Sequence, residues 1–157
     1  DFNGGEQSVV GSSHRWVTPD SEIYKSERWS SEDFWYKIPI DTNVDKTYTL
    51  VMKFSEQYFN EPGMKVFNIG LGSTMLVKGL DPFNMAGQKL LPYDTFHELE
   101  TRHGRLYVNG REVKGAVENN KLKIDFFVGK ADNPKVNGIM LVDGGFENTH
   151  KASFEKY

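Results

Sequence analysis

The feature that most restricts this chain is a period of two in its apolar residues. In Tyr48-Thr-Leu-Val-Met-Lys-Phe-Ser55, the side chains of Tyr48, Leu50, Met52 and Phe54 share one face, while Thr49, Lys53 and Ser55 share the other. That pattern predicts a β-strand with one core face and one wetter face. The same alternation predicts a strand in Lys65-Val-Phe-Asn-Ile-Gly-Leu71, burying Phe67, Ile69 and Leu71. It predicts another in Lys121-Leu-Lys-Ile-Asp-Phe-Phe-Val128, burying Leu122, Ile124, Phe126 and Val128. All three read as central strands. Shorter candidates lie at 34–40, 74–78, 95–99, 104–108 and 138–142, and Pro39 restricts the first to an edge or a strand end because it has no N–H to donate.

Turn chemistry points the same way. Asn109-Gly110 between Arg105-Leu-Tyr-Val108 and Arg111-Glu-Val113 predicts a type I′ hairpin, since both residues tolerate positive φ. Asn119-Asn120 predicts a second. No window has sustained helical periodicity, and no internal repeat or low-complexity stretch interrupts the chain. Short strands separated by Gly, Asn and Pro turns make the expected fold all-β, an antiparallel sandwich of jelly-roll type. At 157 residues, one domain over 1–157 is expected, large enough to bury a core unaided.

Several function classes are disfavoured at once. A formal net charge of −3 without a basic run gives no electrostatic footprint for nucleic acid or an anionic membrane. The absence of cysteine excludes disulfides and thiol chemistry. His14, His97, His103 and His150 include no pair at ligand spacing, so no metal and no cofactor are expected. Gly70-Leu-Gly72 lies in a strand pattern and opens no helix, which argues against a nucleotide fingerprint. There is no secretory leader or apolar span in these residues. Glycoside hydrolysis needs only two carboxyl groups flanking a bond, and Glu56 and Asp132 are the candidates. Isolated acids at strand ends, however, more often accept backbone hydrogen bonds.

Recognition chemistry is easier to find. Aromatic residues make up 13% of the chain, a high share. After the strongest strand, Glu56-Gln-Tyr-Phe-Asn-Glu-Pro-Gly63 puts Tyr58 and Phe59 in a polar turn segment, where at least one ring is expected to be exposed. Phe34-Trp-Tyr36 divides its rings between two faces. In Lys130-Ala-Asp-Asn-Pro-Lys135, Pro134 extends Asn133 and lets Asp132 project after a central strand. Aromatic faces beside a carboxylate suit the C–H patch and the hydroxyl rim of a pyranose.

Seven segments in order resemble the malectin family: Asn3-Gly-Gly5, Tyr24-Lys-Ser-Glu-Arg-Trp29, Phe34-Trp-Tyr-Lys-Ile-Pro-Ile40, Tyr48 through Glu56 with Tyr58-Phe59, Lys65-Val-Phe-Asn68, Leu80-Asp-Pro-Phe83 and Asp132-Asn-Pro-Lys-Val136. The resemblance implies a non-catalytic lectin domain, with Tyr36, Tyr58, Phe59 and Asp132 at the family's sugar-contacting positions. It implies a glucose-containing oligosaccharide as partner, such as the diglucosylated arm of high-mannose N-glycans. It also implies the endoplasmic reticulum lumen, or another secretory or extracellular compartment. The alternative it carries is a protein-interaction module without sugar binding. One departure stands out: the stretch between Gly5 and Tyr24 is shorter than in animal members and lacks a further sugar-contacting tyrosine, for which Trp16 is the candidate substitute.

Overall fold

A computed structural model describes residues 1–9 and 21–146. The chain runs through β1 (Phe2–Asn3), β2 (Glu6–Val9), a 3-10 turn (Ser21–Lys25), β3 (Ser26–Trp29), β4 (Phe34–Pro39), β5 (Lys46–Phe54), β6 (Val66–Leu71), β7 (Thr74–Leu80) and a short helix α1 (Pro82–Ala86). It continues through β8 (Tyr93–Arg102), β9 (Arg105–Val108), β10 (Arg111–Val113), β11 (Val117–Glu118), β12 (Lys121–Ala131), β13 (Lys135–Val136) and β14 (Gly138–Asp143). One sheet has the order β1-β4-β12-β6-β7, with β11 also on β12. A second has β10-β9-β8-β5-β14, and a small third one β13-β3-β2. Every pairing is antiparallel. The expected all-β sandwich is what forms, and the three strong alternating runs occupy interior positions in the two large sheets.

The core is the meeting of the inward faces. Tyr48, Leu50, Met52 and Phe54 of β5 meet Phe67, Ile69 and Leu71 of β6 and Leu122, Ile124 and Phe126 of β12, all buried in one cluster. Phe34 stacks on Phe126 at 4.8 Å and 5° between planes. Both expected hairpins form. Asn109 and Gly110 have φ of 51° and 76°, and Asn119 and Asn120 have 52° and 55°, each pair between strands in register. Pro39 ends β4, opposite Lys121. The short helix, which periodicity misses, starts at an Asp81 N-cap whose side chain accepts from Asn84 N, followed by Pro82 in the first turn.

Two expectations fail. The second face of β5 is not wet: Thr49, Val51, Lys53 and Ser55 are all buried. Thr49 Oγ1 donates to Gly144 O at 2.8 Å. Lys53 Nζ donates to Asp94 Oδ2 at 2.8 Å and to Tyr24 Oη at 3.2 Å, and Tyr24 Oη donates to Asp94 Oδ1 at 2.5 Å. The chain before β3 and after β14 thus lies over this face and supplies the polar partners that burial demands. Val128, expected inside, is 43% exposed. The pairing of β12 with β6 shifts register between Phe127 and Ala131, and such a bulge re-aims the side chains beyond it. Gly129 is needed there, because a Cβ would lie 2.3 Å from Val66 O.

Candidate carbohydrate-binding site

Beyond β5 the chain turns sharply outward. Glu56 is 1% exposed and Tyr58, two residues on, is 75% exposed. The link between them is the Glu56 carboxylate, whose Oε1 accepts from Tyr58 N at 2.9 Å and from Phe59 N at 3.3 Å. Its backbone oxygen accepts from Leu90 N at 2.8 Å. A buried acid therefore fixes the backbone that presents the two rings, in the manner of a side-chain turn cap. Tyr58 and Phe59 meet edge to face at 5.0 Å and 89°, and Phe59 is half-buried.

Asp132 comes to the same place by another route. It follows β12 with a left-handed φ of 50°, and its Oδ2 accepts from Lys65 Nζ at 2.5 Å. The same ammonium donates to Asn133 O at 3.2 Å and lies 5.7 Å from the centroid of Phe59. Lys65, nearly buried, thereby clips the Asp132 turn to the aromatic loop. Burial opposes ionisation of Asp132, but hydrogen bonds from Lys65 and the Asn133 backbone, with the Lys65 charge, hold its carboxyl below the usual range. At neutral pH it is an acceptor only.

Behind these loops sits a second, wholly buried cation. Lys135 Nζ donates to Glu27 Oε2 and to Ser55 O, and its side chain has no exposed area. Burial pushes the Lys135 ammonium below its ordinary pKa, while the charges of Glu27 and Glu56 work to restore it. Glu56 is thus engaged by the loop N–H groups through Oε1, while its Oε2 is buried with no hydrogen-bond partner among the described residues and meets Lys135 only through its charge.

Tyr36 falls in a different group. It stands on β4 with its ring edge against Phe34 at 6.3 Å and Phe126 at 6.4 Å, and its hydroxyl accepts from Arg28 Nε at 2.9 Å. It lines a cleft of about 430 Å3 with Gln7, Ser26, Arg28, Ile38 and Ile139, which Tyr58, Phe59 and Asp132 do not border. The β3–β13 ribbon connects the two groups, pairing Arg28 with Val136 and Trp29 with Lys135. Of the four residues singled out in the sequence, three are clipped together and the fourth lines a separate cleft. Lys65, Lys135 and Arg28 carry the arrangement, and sequence reasoning passed over all three. Their only signal was a place inside the matched segments. Trp16, His14 and His150 lie outside the described residues.

The family model for the malectin domain matches residues 4–139. The chain belongs to the malectin family. Mouse Malectin is 36% identical over 135 residues, a span covering 85% of this chain and 44% of the mouse protein. The chain therefore spans less than half the length of the curated relatives it matches. Among solved structures, the ANX2 ectodomain from Arabidopsis thaliana superposes with a TM-score of 0.68 at 16% identity, covering 88% of this chain and 40% of that one. A chain from the crystal structure of the plant peptide RALF23 in complex with FER and LLG2 gives 0.66 at 14% identity, covering 88% and 39%. At such identities the structural likeness extends to the malectin fold alone.

Proposed function

We propose that this malectin domain is a non-catalytic lectin module that holds a glucose-containing oligosaccharide. Tyr58 and Phe59 stack on pyranose faces, Asp132 accepts hydroxyl hydrogen bonds, and Tyr36 extends the contact across the β3–β13 ribbon. The observation that carries the reading is the pairing of a 75%-exposed Tyr58 with an ionised Asp132, both anchored from beneath by buried charges. An aromatic loop and a carboxylate turn clipped together through one buried lysine before the ligand arrives suit sugar recognition, because little ordering entropy remains to be lost. The role assigned to Glu56 argues for binding over hydrolysis. Its carboxylate is buried and engaged with two backbone N–H groups, a poor position for flanking a scissile bond.

Family membership suggests the diglucosylated arm of high-mannose N-glycans as the ligand and a secretory or extracellular compartment as the setting. A second reading, a protein-interaction module, is favoured by the fold likeness to a chain from the RALF23 complex. A glycan array followed by calorimetry on wild type, Tyr58→Ala and Asp132→Ala separates the two. On the lectin reading, each substitution weakens binding of a glucosylated oligosaccharide about ten-fold or more while the circular dichroism spectrum is kept. Absence of binding to any glycan at millimolar concentration would remove the lectin reading and leave the protein module. Undiminished binding in both variants would move the site elsewhere.

A further inference from the structure

Arg28 is the unspent group of this surface. It sits in β3 and borders the Tyr36 cleft. A guanidinium has five N–H donors. Nε donates to Tyr36 Oη at 2.9 Å, and Nη1 donates to Gly5 O at 2.9 Å and Gly4 O at 3.3 Å. All three acceptors are neutral. The two N–H donors of Nη2 have no partner among the described residues, and no carboxylate there pairs with Arg28. The group is also clamped face-on: its Cζ lies 3.9 Å from the centroid of the Phe2 ring. The stem passes so close to Gly5 that a Cβ there would lie 2.9 Å from Arg28 Cγ. A cation this firmly oriented, with no carboxylate paired to it and one edge without a partner among the described residues, is prepared for an anion.

The rest of the cleft describes what carries that anion. Glu27 borders it too, but its Oε2 is bound to Lys135 and its Oε1 accepts from Ser8 Oγ at 3.1 Å, so its charge is already answered from behind. Ile38 and Ile139 give an apolar wall. The Gln7 amide and the Ser26 hydroxyl border the cleft with no side-chain partner among the described residues. A volume of about 430 Å3 lies within the range of small-molecule sites. Apolar wall, hydroxyl and amide groups, and a guanidinium with no carboxylate partner among the described residues together suit a sugar ring bearing an oxyanion.

We propose that the Arg28 cleft is a subsite for an anionic sugar, a carboxylate- or phosphate-bearing ring, a proposal that rests on the carbohydrate-binding reading and narrows its ligand class. Nη2 of Arg28 meets the oxyanion, and Gln7, Ser26 and Tyr36 meet the ring.

The test is an NMR titration of the isotope-labelled domain at low ionic strength with glucose, glucuronic acid, glucose 6-phosphate, acetate and inorganic phosphate, following the Arg28 Nε–Hε resonance. The expected result is a shift of that resonance with one or both anionic sugars, at an affinity about ten-fold tighter than for glucose. In Arg28→Gln the anionic preference disappears, and in Arg28→Lys it is partly kept. A carboxylate source and a phosphate source are told apart by which sugar wins. Equal affinity for glucose and both anionic sugars in wild type would overturn the proposal, as would a preference that survives Arg28→Gln. Acetate or phosphate binding as tightly as the sugar anions would overturn the assignment to a sugar. Neutral-glycan binding dependent on Tyr58 and Asp132 but without anionic preference would defeat this proposal alone. No response to any of these sugars would also defeat this proposal, and the lectin reading falls with it only if the glycan array is silent as well.

Discussion

Acid should destabilise this fold through His97 well before its carboxylates are protonated. His97 lies in β8 opposite Leu50 of β5, on the inward face with Thr95 and Leu99. Its Nε2 is buried without a hydrogen-bond partner among the described residues. Burial lowers its pKa from 6.5 to about 4. The unfolded chain takes up the proton near pH 6.5 and the folded chain only near pH 4, so the stability present at neutral pH is lost as pH falls through that window. The gap of about 2.5 units (6.5 − 4) corresponds to roughly 3 kcal/mol at ~1.4 kcal/mol per unit, of which about 2 kcal/mol is lost between pH 7 and pH 5. Asp132, held below the ordinary carboxylate range, contributes stability that is lost only at lower pH, outside this interval. Urea unfolding of wild type and His97→Leu from pH 7.5 to 4.5 measures the effect. The wild type should lose about 2 kcal/mol more than the variant between pH 7 and pH 5, with unchanged m-values. Parallel curves, or an NMR midpoint for His97 near 6.5, would refute the reasoning.

Other perturbations probe the supports of the candidate site. Lys135→Met leaves the Glu27 carboxylate without its ammonium and the buried Glu56 without the nearby positive charge, and should lower stability by about 3–5 kcal/mol; adding Glu27→Gln should recover part of that loss in urea melts. Gly5→Ala introduces a Cβ 2.8 Å from Trp29 O at a φ of 82°, and should cost about 1–3 kcal/mol by thermal unfolding while displacing the Arg28 stem. Tyr58→Ala, at a ring 75% exposed, should change stability by no more than about 0.5 kcal/mol, so that any change in ligand affinity is read directly.

The inward faces of β5, β6 and most of β12 were legible because a period of two admits only one burial pattern when a sheet has a core side. The Asn-Gly and Asn-Asn turns were legible for an equally local reason, since both central residues take positive φ. What covers the far side of a sheet is not local. Lys53 and Thr49 looked like solvent residues, and became buried because Tyr24 and Gly144, distant in sequence, close over them. Val128 failed because alternation cannot register a bulge, although Gly129 beside it is the residue type such a kink requires. Strands of two to four residues, such as β1, β3 and β13, are too short for any periodicity. In the candidate site, Tyr58 and Asp132 could be read as projecting groups from turn composition. The partners that hold them could not, because Lys65 and Lys135 in polar surroundings read as ordinary surface lysines.

The exposed half and the buried half of this surface constrain each other. Tyr58 is presented by Glu56, Glu56 stands beside Lys135, and Lys135 ties Ser55 to Glu27 on β3, where the next residue, Arg28, fixes Tyr36. Lys65 adds the cross-link between Phe59 and Asp132. Buried ion pairs of this kind contribute little net stability compared with apolar packing, so their presence here is poorly explained by a need to hold the sandwich together. It is better explained by geometry: an aromatic loop after β5 and an aspartate turn after β12 have no ladder to hold them in register. Charge-assisted bonds from a rigid floor set their separation without covering their outward faces. The polar interior and the exposed rings are then two parts of one device, and the sequence positions that look least functional are the ones that fix the distance between those that look most so.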